Sequence, residues 1–421
     1  MNVSRRILYF LLGLSLFMLA ATGSEVYSRL TYLWAFLLIV NWVWAQFSLR
    51  GVRVVRRPRL RRGYLGQVFE ERFQVFNLGL IPRLWLEIRD YSNLPGSRGS
   101  HVVSMVGGKQ RRTYLARTRL VQRGLFQLGP TVVSSGDPFG LFQKELTLPA
   151  QDALLVYPYM VDVHDFPDPP GLLTGGEALR RRTHYVTANA AGVREYAPGD
   201  SLSRMHWPTT ARRRKLMVKE FELDPQGDVW LFIDAEQSVH VSQPSQPLEN
   251  NGVDMFLRNG KAMVVVPPAT EEYAASIAAS LGQYFLRKRR AVGLVNSGTA
   301  YTVIPPDRGG RQLGKLLEAL ALYNADGSMS FPAMVNAQAQ HITRGSTVLL
   351  ITPSVHEKVA LTVDLLQRRG LRPIVCLLDA SSFGGNGGSD RLALQIASMG
   401  VPTRLVKNGA LEEGLAIPIS G

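Results

Sequence analysis

The sequence predicts a chain of three parts: an N-terminal two-helix transmembrane hairpin, a small all-β sandwich-like domain and a C-terminal α/β doubly wound domain. Three observations carry this. Two apolar runs stand at the N-terminus. Strings of alternating apolar and polar residues with turn formers follow, and from residue 228 strand and helix patterns take turns. A length of 421 residues exceeds one compact core. With 46% hydrophobic and 19% charged residues, the chain is not mainly disordered. The single cysteine, Cys376, excludes an intramolecular disulfide framework and a Cys-rich zinc site.

The hairpin occupies residues 1–50, with helices at about 7–23 and 30–49. Ile7–Gly23 is apolar and uncharged; Leu30–Leu49 is broken only by mild polars such as Asn41 and Gln46. A bilayer-spanning helix needs about 20 apolar residues. Tyr27, Trp34, Trp42 and Trp44 suit the membrane interface. The short link Ser24–Arg29 requires antiparallel helices, so both chain ends share one side. Of the net charge of +15, +9 lies in residues 1–62, which hold ten Arg, no Lys and one acid, Glu25. That placement reads as a membrane flank rather than a nucleic-acid site. The positive-inside rule puts both termini and the soluble domains in the cytoplasm, on a multi-pass protein of the inner or plasma membrane. Ala20-Ala21-Thr22 is a poor signal-cleavage site, and a cut there would still leave the second helix to stop transfer.

Residues 51–160 read as short strands. Gln67–Asn77 and Arg83–Asp90 alternate as half-buried strands do, and Leu94-Pro95-Gly96 and Gly107-Gly108 mark turns. The stretches Arg123–Pro130 and Asp137–Phe142 combine turn formers with aromatics, as tight corners anchored in a core do. Residues 161–190 read as a loop-rich linker containing Arg180-Arg181-Arg182.

The densest signal is GVREYAPGDSLSRMHWPTTARRRKLMVKEFE, residues 192–222. Asp200 is placed to cap a short helix beginning near Ser201, and Arg204 stands one helical turn beyond it. Leu216–Glu222 alternates as a strand. Such a cluster serves either to lock a turn or to present a recognition surface. The string Gly-x-Arg194-x-Tyr196-x-x-Gly199-Asp200, followed by Arg204, His206-Trp207 and Ala211-Arg212, resembles the bacterial "domain of unknown function 58" family. The N-terminal helix pair and the two corners at 123–130 and 137–142 are also features of such proteins. The resemblance implies a von Willebrand factor A-like C-terminal domain. It further implies partnership with a MoxR-type AAA+ ATPase and with a transglutaminase-like membrane protein. It implies no enzymatic activity.

Read on its own, the segment 191–421 joins that signature to an alternating α/β pattern. Asp228–Ala235 is a nearly continuous apolar strand, as in a parallel sheet buried on both faces. Helical Glu271–Arg290 follows, and strand–helix alternation continues to strand Thr403–Val406. The von Willebrand factor A fold carries a metal on Asp-x-Ser-x-Ser, a loop threonine and a second aspartate. Here the first strand ends Asp234-Ala-Glu236-Gln-Ser238, Arg311 follows the Gly309-Gly310 turn, and Pro353 follows Thr352. Three departures argue against an intact metal site, since a hard cation needs several oxygen ligands. Residues 236–270 form an irregular insertion, unusually long for a compact domain.

No phosphate-cradling loop, Gly-x-Ser-x-Gly elbow or His-Glu-x-x-His is present, and the seven histidines lack ligand spacing. No cofactor or metal is expected. The leading expectation is a non-enzymatic, membrane-anchored adaptor that docks a protein partner through Arg194, Tyr196, Gly199, Asp200, Arg204, His206, Trp207 and Arg212. The alternatives are a membrane-associated enzyme using Asp200 and His206, or a binder of anionic lipid or nucleic acid using the Arg clusters.

Overall fold

The computed structural model of the chain describes residues 3–167, 190–197, 205–221, 227–244, 265–298 and 300–418. The chain divides into two units, residues 1–159 with 246–267 and residues 160–245 with 268–421.

The first unit opens with helices α1 (Val3–Thr22) and α2 (Glu25–Phe47). At 1.5 Å per residue they extend about 30 and 35 Å. Both are long and apolar enough to cross a membrane. Among their residues only Leu8, Ser15, Leu38, Asn41 and Ala45 are buried, so most of their apolar surface faces outward. The link is shorter than the expected Ser24–Arg29. Gly23, at φ +64°, makes the turn, and α2 already starts at Glu25. An acidic first residue favours a helix N-terminus, and Glu25 also meets Arg29 one turn on at 3.2 Å.

Ten strands follow: β1 (Val52–Pro58), β2 (Arg62–Tyr64), β3 (Val68–Asn77), β4 (Arg83–Asp90), β5 (His101–Val106), β6 (Arg111–Arg119), β7 (Gly124–Leu128), β8 (Thr131–Gly136), β9 (Gln143–Leu148) and β10 (Asp152–Tyr157). They pair as β1-β3-β6, β5-β4-β8-β9 and β2-β10-β7, antiparallel except for β2 with β10. The period of two decides the core. Val52, Val75, Leu86, Ile88, Val103, Val106 and Val133, from the first two sheets, form one apolar cluster. Phe69, Phe126, Leu128, Leu154 and Val156 build a second.

One flank arginine belongs elsewhere than the charge count places it. Arg56 lies on β1, and its guanidinium bonds both carboxylate oxygens of Glu71 (2.7 and 2.9 Å), Asp90 (2.9 Å) and Ser92 (3.0 Å). The string Val52–Pro58 alternates as a strand, which turns Arg56 toward the buried face of β3. Arg59 and Arg61 pair with Glu70 and Asp152. The basic run after α2 is therefore partly internal to the β-rich region.

The second unit contains β11 (Ala190–Glu195), α3 (Trp207–Arg213), β12 (Met217–Phe221), β13 (Val229–Ile233), α4 (Thr270–Arg287), β14 (Val292–Ser297), β15 (Tyr301–Asp307), α5 (Gln312–Ala321), α6 (Phe331–Ala339), β16 (Thr347–Thr352), α7 (Lys358–Arg368), β17 (Arg372–Leu378), α8 (Ser389–Ser398), β18 (Thr403–Val406) and α9 (Leu411–Ala416). The main sheet runs β15-β14-β13-β16-β17-β18, parallel except for the edge strand β15. Helices cover both faces. Trp230, Phe232, Val348, Leu350, Val375 and Leu377 pack against α6, α7 and α8. The alternate residues, such as Leu231, face α4. Burial on both sides explains why these strands are continuously apolar.

Part of the expected linker packs into this unit. Val161 N donates to Ser280 Oγ (3.0 Å), and Phe166 meets Tyr284 and Phe285 edge-on. The remainder, 168–189, lies outside the described residues. Of the insertion at 236–270, a short 3-10 turn at Gln237–Val239 and a bridge between Ser242 and Ala269 are described; 245–264 lies outside.

Candidate functional site

In an open α/β sheet the strand order reverses at one point, and ligands gather at the carboxyl ends of the strands there. Here β13 leads to β14 on one side, whereas β16 lies on the other. The reversal therefore falls between β13, which leads into Asp234, and β16, which ends at Thr352. Five apolar, buried residues bring Asp234 to this edge.

The edge is densely hydrogen-bonded. Asp234 Oδ2 accepts from Thr352 Oγ1 (2.5 Å), and Oδ1 accepts from the Glu236 amide (2.9 Å). Glu236 is itself engaged: Ser238 Oγ donates to Oε1 (2.7 Å) and the Phe331 amide, at the start of α6, donates to Oε2 (3.4 Å). Tyr323 donates its hydroxyl to the Asp234 carbonyl, and His240 Nε2 lies 3.0 Å from the same oxygen. A carbonyl only accepts, so Nε2 carries a proton; Nδ1 lies 3.0 Å from Thr270 Oγ1. Burial raises the Asp234 carboxyl to about 7, against the two hydrogen bonds it accepts.

This donor set does not fit a hard divalent cation. Such an ion needs ionised oxygens free to turn toward it. Both oxygens of Asp234 and both of Glu236 already accept hydrogen bonds within the loop and its neighbours, and Pro353 offers no side-chain ligand. The arrangement straps the 234–239 loop to the 323–331 segment, reinforced by Gln237 N to Gly327 O (2.9 Å) and Gly327 N to Ala235 O (2.8 Å). Sequence reasoning singled out Asp234, Glu236 and Ser238, and the structure brings them together. It missed His240, Thr270, Tyr323 and Thr352. Only Thr352 carried a signal, as the last residue of an apolar strand.

The signature segment builds a second feature. Strands β11 and β12 pair antiparallel, with Arg194 opposite Val218. Met205 bridges to Val218, and the backbone bonds Tyr196 N to Leu216 O and His206 N to Met217 O (both 2.8 Å) lock the flanks. His206 caps α3: its Nδ1 lies 2.7 Å from Thr209 Oγ1 and accepts from the Thr209 amide. Pro208 suits the first turn and Arg212 and Arg213 suit the last. Met205, Met217 and Val218 are buried, whereas Trp207 is 63% exposed and Arg212–Leu216 line the surface beside it. Gly199, Asp200 and Arg204, with the helix expected from Ser201, lie outside the described residues, as does the side chain of Arg194.

A family model described as "Protein of unknown function DUF58" matches residues 192–250. The DUF58 match therefore takes in β12, α3, β13 and the Asp234–Ser238 loop. A Bacillus subtilis (strain 168) protein, "Uncharacterized protein YeaD", is 27% identical over 210 residues, 49% of this chain and 44% of that protein. The chain thus spans less than half the length of this relative. Among solved structures, the CARDB domain of a Pyrococcus furiosus protein is 17% identical, covering 25% of this chain and 91% of that one, at a TM-score of 0.19. Pseudomonas fluorescens alkylpurine DNA glycosylase AlkC bound to abasic-site DNA is 12% identical, covering 34% and 41%, at 0.18. At such scores neither likeness informs fold or function.

Proposed function

We propose that the chain is a membrane-anchored, non-enzymatic adaptor that docks a protein partner through the face around Trp207. The observation that carries this is Trp207 itself. A large aromatic stands exposed at the head of a capped helix, on a ribbon whose own core is buried, beside Arg212, Arg213, Arg214 and Lys215. Exposed Trp and Arg on a rigid support are the residues that dominate interface energies. The positive run calls for an acidic partner surface. In this reading the α/β unit is von Willebrand factor A-like and doubly wound; its strand order, counted from β13, is 3-2-1-4-5-6 with the third strand antiparallel. The β-rich region is a sandwich-like spacer. The partner is a MoxR-type AAA+ ATPase, with a transglutaminase-like membrane protein alongside. The anchor is the hairpin, with both termini cytoplasmic.

The test is crosslinking mass spectrometry on full-length protein purified in mild detergent, followed by Trp207→Ala. The expected result is an ATPase crosslinked to the 190–221 segment. The alanine variant should lose on the order of 2 kcal/mol of binding with an unchanged melting temperature. Binding and melting falling together would make the segment a structural lock only.

A further inference from the structure

The loop Asp137–Phe142, between β8 and β9, lies against the helix hairpin. Leu141 is buried with Leu8 and Leu38, and Phe142 packs on the same cluster. The Ser15–Thr31 hydroxyl contact (3.1 Å) sets the helix register. Ten residues back along α1 and ten forward along α2, Arg5 stands level with Asn41. The loop therefore meets the hairpin near the charged start of α1 and beside the middle of α2, where the Arg5 guanidinium lies 5.6 Å from the Phe142 ring centroid.

Two properties of the loop suit it to a poorly hydrated environment. First, its backbone donors are satisfied internally. The buried Asp137 carboxylate accepts from the amides of Phe139 (3.0 Å), Leu141 (3.2 Å) and Phe142, and the Asp137 and Gly140 amides donate within the loop. Pro138 has no amide hydrogen. Unsatisfied amides are what exclude irregular backbone from lipid. Second, its tip is apolar and outward: Phe139 is 66% exposed. Between the tip and α2 lies a mainly apolar cavity of about 220 Å³, lined by Phe36, Leu37, Val40, Trp44, Pro138 and Phe139, with Asn41 the one polar residue of the wall.

A second apolar tip stands at the same end of the hairpin. Leu78, Leu80 and Ile81 are exposed in the β3–β4 turn; Leu78 N bonds Gly51 O and Arg83, at the start of β4, bonds Arg50 O, both in the turn that follows α2. Cations border both tips. Arg50 covers Phe47, Lys144 meets Gln46 (3.2 Å), and Arg5 Nε is buried without a hydrogen-bond partner.

We propose that the β-rich region is itself seated in the bilayer interface. Phe139 and the 78–81 turn wedge into the leaflet that holds the charged hairpin end, and a phospholipid acyl chain fills the cavity beside α2. The occupant is lipid because the cavity wall is continuous with the outward face of a membrane-length helix. The bordering cations match phospholipid phosphates. This inference rests on the reading that the hairpin spans the membrane.

The experiment uses the full chain in phosphatidylcholine–phosphatidylglycerol vesicles, spin-labelled at single introduced cysteines. The native Cys376 is buried, its thiol pushed up to about 12, and the unsubstituted chain supplies the background. Phe139→Cys reports the wedge, Leu14→Cys the hairpin and Leu125→Cys an exposed strand of the β-rich region. Collision with oxygen should exceed collision with a water-soluble nickel chelate at 139 and 14, and the reverse should hold at 125. If 139 behaves like 125 while 14 stays shielded, the wedge is overturned and the spanning hairpin stands. If 14 is open to nickel as well, the membrane reading fails and takes the wedge with it.

Discussion

Asp234 directly follows the central strand with its carboxyl removed from water, and the hydrogen bonds from Thr352 and the Glu236 amide do not offset that burial. The consequence is a measurable pH dependence. An unfolded aspartate titrates near 3.9, roughly its ordinary value, and the folded one near 7. Between these values the native state holds the proton more tightly than the unfolded state. Its contribution to stability is complete below the unfolded pKa and is lost as pH rises through the folded one. Opening of β13, followed by hydrogen exchange corrected for intrinsic rates, should become easier from about pH 4 to 7 and then level off. Asp234→Asn should flatten the dependence. An unchanged slope in that variant would assign the effect to another group.

The ion cluster joining β1, β3 and β4 shows how elements constrain one another. Glu71 alternates onto the buried face of β3, where a carboxylate is costly; burial raises its pKa although Arg56 opposes this. Burial alone would lower Arg56, but its bonds to Glu71 and Asp90 overcome that. Glu71 and Asp90 are almost wholly enclosed. Removing the guanidinium strands two buried carboxylates, so Arg56→Met should cost about 3–5 kcal/mol. Arg56→Met with Glu71→Gln should cost less than the sum of the single changes, because the second removes the charge the first leaves unpaired. Denaturation midpoints read by hydrogen exchange in β3 provide the measurement. Strict additivity would mean that the contact carries no coupling.

For the whole molecule, topology is the first-order question, since it decides which compartment meets Trp207. The helices are joined by only Gly23 and Ser24, so in the proposed spanning arrangement the hairpin returns the chain to the side it left. Arg5 and Arg6 precede α1, and Arg50, Arg53 and Arg57 follow α2. The proposed orientation predicts that a periplasm-dependent reporter fused after Ser24 is active and the same reporter fused at the C-terminus is silent. An active C-terminal fusion would invert the orientation and remove any cytoplasmic ATPase from reach.

By itself the sequence determined what depends on neighbours in the chain. The apolar helix pair, the alternating strands such as Arg83–Asp90, and the parallel-sheet strands around Val229–Ile233 are legible, because periodicity and turn chemistry act within a few residues. It also marked Asp234, Glu236 and Ser238 as one loop, and Trp207 within one dense segment. Tertiary structure decided the partners. Thr352 reaches Asp234 across 118 residues of chain, Tyr323 across 89, and Asp90 reaches Arg56 across 34. No local pattern records such distances. Arg56 therefore reads as membrane-flanking charge until β1 is paired with β3, and the Asp137 loop reads as a corner until the helices it rests on are in place. The physical reason is one of range: local preference is set by residues a turn or a strand apart, whereas burial and charge pairing are set by whatever the fold brings alongside.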